Sequence, residues 1–351
     1  MNSPSSRLSR MAALLALASS AICMAPVAQA RGSDVDARFD RAFGVGAYAP
    51  PAPSATPPIA LPPGFELQLA RLANASMGRI GVAAVDLSTG KGVSVMGDQP
   101  FPMASTSKIA IVATFLEGVD QGRFRLTDRF PLMMPVPSAR FSSVVAPVRP
   151  GSSLTAHELI ELAITRSDNH ATDALLAAVG GPQAVTGWMK RAGLHGMRLD
   201  RDIATLVRDD GAIDPARVID PRDSATPQAM ATLLAGIYQG QWLSNSSRDV
   251  LLGAMSRCVT GRSRLRAQLP ADAMVGHKTG TLNNTSSDVG LIRASDGRMI
   301  AVAIYVTGQG GKPGRDSRIA TIARAIYEGY HAEPVSTLTV ATPGMELVPT
   351  P

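Results

Sequence analysis

The chain has 351 residues, 45% of them hydrophobic, and a net charge of +6. That is apolar material for one large or two modest cores. The positive balance does not point to nucleic acid, because Arg and Lys are scattered and aromatic residues make up only 4%.

Residues 1–30 carry the marks of a secretory signal. Arg7 and Arg10 form a basic start, "MAALLALASSAICM" an apolar stretch, and Ala28 and Ala30 a small-residue cleavage site. The apolar run is shorter than the roughly 18–20 residues that cross a bilayer. The expectation is export, to the periplasm or the medium, with no membrane span after signal cleavage. Cys23 follows Ile22 rather than a small residue, so it sits in no lipoprotein box. Cys258 is then the only mature cysteine, which excludes an internal disulfide and leaves stability to the core.

Residues 31–64 form a Pro/Ala-rich extension and residues 333–351 a disordered tail. Between them, residues 65–332 make one compact unit. A helix is predicted over 65–76, then two strands, "RIGVAAVDL" and "GVSVMG", joined by a turn at Ser88–Gly92. Ile109 to Leu116 is apolar on every side, the pattern of a helix buried all round. From about 120 to 265 the chain reads as mostly helical. Thr155 and Glu158 form a capping box, "SDN" at 167–169 separates two helices, Gly180-Gly181 closes the second, and Pro227 opens a further one. Strand patterns return at "AMVGHKTG", "SSDVGLIRA" and "MIAVAIYVT", before a last amphipathic helix over 316–330. Strands at both ends with helices between imply an α+β or α/β fold. Its antiparallel sheet, flanked by helices, is formed from N- and C-terminal segments, with an all-helical domain inserted.

Ser-x-x-Lys occurs twice. Ser88–Lys91 lies in a tight turn, with no helix to align the two side chains and no core to dry them. Ser105–Lys108 lies at the head of the buried helix, where free N–H groups favour negative charge and residues three apart share a face. A serine hydroxyl is a poor nucleophile until a base takes its proton, and a lysine serves only when burial and a neighbouring cation hold it partly neutral. Ser167-Asp168-Asn169 alone reads as a helix cap and turn, and Lys278-Thr279-Gly280 alone as a strand end.

Together and in this order, Ser105–Lys108, Ser167–Asn169 and Lys278–Gly280 resemble the penicillin-interacting serine enzymes, above all the class A β-lactamases. The similarity covers roughly residues 65–330 and includes the surroundings "ITRSDNHATDALLAAVGG" and "DPRDSATPQAMATLL". It implies an acyl-enzyme on Ser105 with Lys108 as base. It makes Ser167 a proton relay to the leaving nitrogen and Asn169 the group that orients Lys108 and a substrate amide. Lys278 and Thr279 would hold the substrate carboxylate, Gly280 would allow close backbone approach, and the N–H groups of Ser105 and Thr281 would form the oxyanion hole. No cofactor and no metal are implied. The partner is a small β-lactam or a peptidoglycan stem peptide, and the protein is expected to act as a monomer.

The loop after the helical segment departs from the family. Arg201 and Asp223 match its clamping pair, but the family's water-activating glutamate position falls on Ile203, and residues 201–223 contain no Glu. Asp202 is the candidate stand-in base, while Asp209, Asp210 and Asp214 read as solvated loop charges. The expectation is ready acylation and slow deacylation. The rival enzymatic reading is a D-alanyl-D-alanine peptidase, and the non-enzymatic one a wall-binding envelope protein. A Ser-His-Asp hydrolase lacks its Gly-x-Ser-x-Gly elbow, and the five histidines (157, 170, 195, 277, 331) show no metal-ligand spacing. His277 should face away from Lys278, into packing or to the surface. "GQGGKPGR" lacks the Gly-Lys-Ser/Thr of a phosphate loop and reads as a turn.

Overall fold

A computed structural model describes residues 64–331. The signal, the Pro/Ala-rich extension and the tail therefore lie outside the described residues. Helix α1 (Phe65–Leu72) precedes β1 (Ile80–Asp86) and β2 (Gly92–Val95), which pair as a hairpin. Its turn is fixed by Asp86, whose carboxylate accepts from Ser88 N–H and Thr89 Oγ1, both at 2.9 Å. Ser88 is exposed, so the first Ser-x-x-Lys has no dry pocket around it.

Strands β8 (Met274–Leu282), β9 (Thr285–Arg293) and β10 (Met299–Thr307) return to this hairpin. The sheet runs β2-β1-β10-β9-β8, every neighbour antiparallel. The two-residue period of β10 sets the layers. Ile300, Val302, Ile304 and Val306 pack with Phe65 and Leu69 of α1 and with Ile319, Ile322 and Ile326 of the last helix. Ala301, Ala303 and Tyr305 face the helical region instead. Both faces of the sheet are covered, so β10 is buried throughout.

The helical region opens with a two-residue strand, β3 (Phe101–Pro102), a 3₁₀ turn (Ala104–Ser107) and α2 (Lys108–Asp120). Residues 108–116 of α2 are all buried, as an all-apolar helix requires. The segment expected to be mostly helical contains a hairpin, β4 (Arg129–Pro135) with β5 (Val148–Thr155). Its strands are half-exposed, carry Pro131, Pro135 and Pro150, and shift register between Pro131 and Met133. Proline is tolerated there because a two-stranded ribbon leaves one edge of each strand unpaired. The short strand β7 (Ser224–Ala225) pairs with β3 on one side and with β6 (Met197–Arg198) on the other.

Helices α3 (Ala156–Thr165), α4 (Asn169–Val179), α5 (Pro182–Arg191), α6 (Ile203–Arg208), α7 (Pro227–Tyr238) and α8 (Asn245–Ser256) complete the region. The Thr155–Glu158 capping box is present at α3, Gly180 takes the left-handed conformation that closes α4, and Pro227 opens α7. The chain ends in α9 (Lys312–His331). No described helix is long and apolar enough to cross a membrane.

Candidate active site

Three segments meet between the sheet edge and the helical region. Ser105 lies in the 3₁₀ turn immediately before α2 and is partly buried. The turn is cross-braced: Thr106 Oγ1 donates to Met103 O at 2.7 Å, Ser107 Oγ to Ala104 O at 2.8 Å, and Met103 N–H to Asp223 O at 2.9 Å. Ala104 is held at a positive φ of 49°. For a residue with a Cβ that strain costs about 1–3 kcal/mol and persists only where surroundings enforce it. Strand β8 is an enforcer. A Cβ on Gly280 would fall 2.7 Å from Met103 O and 2.4 Å from Ser287 Oγ, so any side chain there would push the strand off the turn. The absence of a side chain thus sets how near β8 comes to the nucleophile's turn.

Lys108 is fully buried and reaches the 167–169 segment. Its Nζ donates to Ser167 O and Asn169 Oδ1, both at 2.7 Å, and lies 3.2 Å from Asp168 O and 3.4 Å from Ser167 Oγ. The one-turn spacing predicts a bond from Lys108 to the Ser105 hydroxyl. In the structure the ammonium protons are drawn to these oxygens instead, and the Ser105 hydroxyl stands outside the network. Ser167 is also held at positive φ, 60°. Asp168 caps α4 by accepting from Ala171 N–H at 2.8 Å, which fixes Asn169 as the helix's first residue.

From the strand side, Lys278, equally buried, donates to Ser167 Oγ at 2.9 Å and to Thr279 O at 2.8 Å. One hydroxyl therefore stands between two ammonium groups. Burial, and then the charge of Lys278, hold Lys108 well below the usual lysine value. Burial brings Lys278 down to about 8. Next along β8, Thr279 Oγ1 is 2.7 Å from Thr260 Oγ1, and Thr281, an exposed residue, accepts at Oγ1 from Arg264 Nη2 at 2.7 Å.

Sequence reasoning missed Arg264. Its buried guanidinium pairs with Asp316 at 2.8 Å and donates to the carbonyls of Gly280 and Ser287. No spacing announces it, because its counter-ion lies on α9. β8 is the sheet's edge strand, so alternate backbone groups along it lack a strand partner and point at the site.

Arg201 and Asp223 meet across the loop. Arg201 Nε lies 2.6 Å from Asp223 Oδ2, while Asp223 Oδ1 accepts from the N–H groups of Asp200 and Arg201. Asp202 caps α6, its Oδ1 accepting from Thr205 N–H at 2.7 Å, and Ile203 is buried. Of the three carboxylates read as solvated, one is buried and the other two stay partly exposed while bonding across the loop. Asp209 is buried against Arg208 at 2.8 Å, Asp210 accepts from Asn283 N–H at 3.0 Å, and Asp214 from Asn284 Nδ2 at 2.8 Å. These bonds staple the lengthened loop to the end of β8, seventy residues away in sequence.

Asp173, also missed, is a buried carboxylate on α4 that accepts Ile203 N–H and Ala204 N–H, each at 2.8 Å. Burial raises it to about 7 in spite of those bonds. It lines, with Asn169, Ile203, Ala204 and Val207, a cavity of about 330 Å³ under β4. His277 faces away from Lys278 and is fully buried, which resolves its two alternatives in favour of packing. Among the described residues no group of three His, Cys, Asp or Glu could hold a metal ion.

A nucleophile candidate on a braced turn, a dry lysine, a bridging serine and a cationic strand end define the class as a serine acyl-transfer hydrolase. The family model of the beta-lactamase enzyme family matches residues 64–330, and the chain belongs to that family. It is 31% identical to beta-lactamase CTX-M-25 of Escherichia coli over 268 residues, covering 75% of this chain and 88% of that one. It is 30% identical to beta-lactamase SME-1 of Serratia marcescens over 243 residues, covering 68% and 80%. The solved structure of the ancestral (GNCA) class A beta-lactamase superposes with a TM-score of 0.66 at 38% identity, covering 75% of this chain and 99% of that chain. The fold is α+β, an antiparallel sheet flanked by helices, in agreement with the expectation.

Proposed function

We propose that the protein is an exported, monomeric serine β-lactamase that opens the lactam amide through an acyl-enzyme on Ser105 and releases it slowly. The observation that carries this reading is the pair of buried lysines on one serine hydroxyl. Two ammonium groups this close and this dry cannot both stay charged at low cost, and Lys108, held well below the usual lysine value, is one helical turn from Ser105.

In the reaction, Ser105 Oγ attacks the lactam carbonyl carbon and its proton passes to neutral Lys108. Small movements of the Ser105 hydroxyl bring it to an amine now satisfied by Ser167 and Asn169. The oxyanion is received by the N–H groups of Ser105 and Thr281, each such donor being worth about 3–4 kcal/mol. The C–N bond breaks as Ser167 Oγ gives its proton to the leaving nitrogen and is recharged from Lys108. Lys278, Thr279 and Thr281, backed by Arg264, receive the substrate carboxylate, and Asn169 its amide.

Hydrolysis of the ester then needs a base beside water. Ile203 offers none, and Asp202, the stand-in, already spends one oxygen on Thr205 N–H. Mass spectrometry of protein exposed to penicillin, followed over time, tests the reading. One acyl adduct on Ser105, persisting for minutes, is expected. No adduct would leave the non-enzymatic envelope protein. A permanent adduct together with release of D-alanine from stem peptides would favour the peptidase.

A further inference from the structure

Behind β8, on the side away from Lys278, a second set of reactive groups is buried. His277 and Asp288 sit on the paired strands β8 and β9, both fully buried. The ring Nδ1 lies 2.8 and 3.0 Å from the two carboxylate oxygens. The opposite nitrogen, Nε2, is buried with no hydrogen-bond partner. The free thiol of Cys258, just past α8, lies against this imidazole. Its Sγ is 3.2 Å from Thr260 Oγ1, which in turn is 2.7 Å from Thr279 Oγ1.

We propose that Cys258, His277 and Asp288 form a second reactive centre, at which small neutral peroxides oxidise the Cys258 thiolate to a sulfenic acid, and that Thr260 carries the change to Thr279. The arrangement is that of an activated thiol: a carboxylate orients an imidazole and holds it charged, and the imidazolium stabilises the thiolate. Burial alone pulls His277 down, but Asp288 outweighs it and the imidazole rises to about 9. Burial alone pushes the thiol up, but the neighbouring His277 imidazole outweighs it and the thiol falls to about 7.

Cys258 is 4% exposed and Val259 beside it is 54% exposed. A thiol so little exposed can be met in the native protein only by a small reagent such as a peroxide. In the reaction the thiolate sulfur attacks one peroxide oxygen and the O–O bond breaks. The departing hydroxide takes the imidazolium proton and leaves as water; sulfur loses two electrons and the peroxide gains them. The new S–OH competes for the Thr260 hydroxyl that Thr279 shares. This second step rests on the substrate-holding role proposed for Thr279; the oxidation itself does not.

The test treats native protein with hydrogen peroxide at pH 6, removes the peroxide, unfolds the chain in urea so that dimedone reaches the sulfur and traps the sulfenic acid, and maps the adduct by peptide mass. Native Cys258 is expected to react at least about tenfold faster than in the same chain unfolded in urea, where an ordinary thiol is almost wholly protonated. Slower reaction in the native state, or no trapped adduct, overturns the centre. His277→Asn and Asp288→Asn are expected to abolish the acceleration in whichever variant a thermal melt shows folded; a folded variant that keeps it overturns the role of the imidazole. Oxidised wild type is expected to label Ser105 with penicillin about tenfold more slowly, while Cys258→Ala keeps its rate under peroxide. Unchanged labelling after complete oxidation overturns the link to Thr279. Failure of penicillin to label untreated protein would count against the proposed function, not against the sulfenic acid.

Discussion

The two halves of the cleft are built on opposite terms. On one side, the Ser105 turn, the Ser167–Asn169 segment and β8 supply buried polar groups that satisfy one another, with strain at Ala104 and Ser167 held in place by packing. On the other, the 201–223 loop supplies a buried isoleucine, and its carboxylates are occupied with clamps and caps. The first half is prepared for proton transfer at the moment of attack. The second is prepared to hold its shape. Covalent capture and release are separate problems in physical chemistry, and this chain has invested in the first.

The strongest way to break the comparison is to remove the nucleophile. Ser105→Ala is expected to abolish the penicillin adduct in the mass spectrum. Lys108→Met, which keeps the volume but not the base, is expected to slow adduct formation by about 10²–10⁴-fold in rapid-quench labelling. Ile203→Glu would bring the missing chemistry to the second half, and the adduct is expected to decay about 10²-fold faster or more. If that variant changes nothing while Asp202→Asn abolishes release, the base is Asp202. Asp223→Ala leaves Arg201 and two backbone N–H groups without their acceptor, at a cost of about 3–5 kcal/mol seen in a thermal melt.

The Asp173 carboxyl gives the pH-dependent test of the loop. Raised to about 7 in the fold, it keeps its proton between pH 4 and 7 while the unfolded chain has lost it. Its contribution to stability is greatest at the acid end and falls as pH rises through that window, by about 4 kcal/mol in all. Denaturant melts of Asp173→Asn against the parent should show the parent losing stability relative to the variant from pH 4 to 7. A flat difference would contradict the burial argument.

The sheet, the buried helix and the order of the three motifs are legible in the sequence because they follow local periodicity and capping chemistry. The β4–β5 hairpin is not, since its prolines and half-exposed strands carry no alternation. The bonds of Asp210 and Asp214 are hidden for a related reason: Asn283 and Asn284 lie some seventy residues on, and pattern cannot pair them. Arg264 and Asp173 act through partners on α9 and on the loop, so neither stands in a motif. The Ser105–Lys108 spacing predicts proximity on one face, yet it is silent on the oxygens of Ser167 and Asn169 that compete for the lysine's protons.

The most direct test of the account is the pH profile of the acylation rate, measured as adduct formation under single-turnover conditions. A Lys108 held well below its ordinary value by burial and Lys278 predicts a rate that levels off well before the pH at which an ordinary lysine titrates, with Lys278→Ala moving the midpoint upward. A rate that keeps climbing toward the pKa of an ordinary lysine, about 10.4, would contradict it.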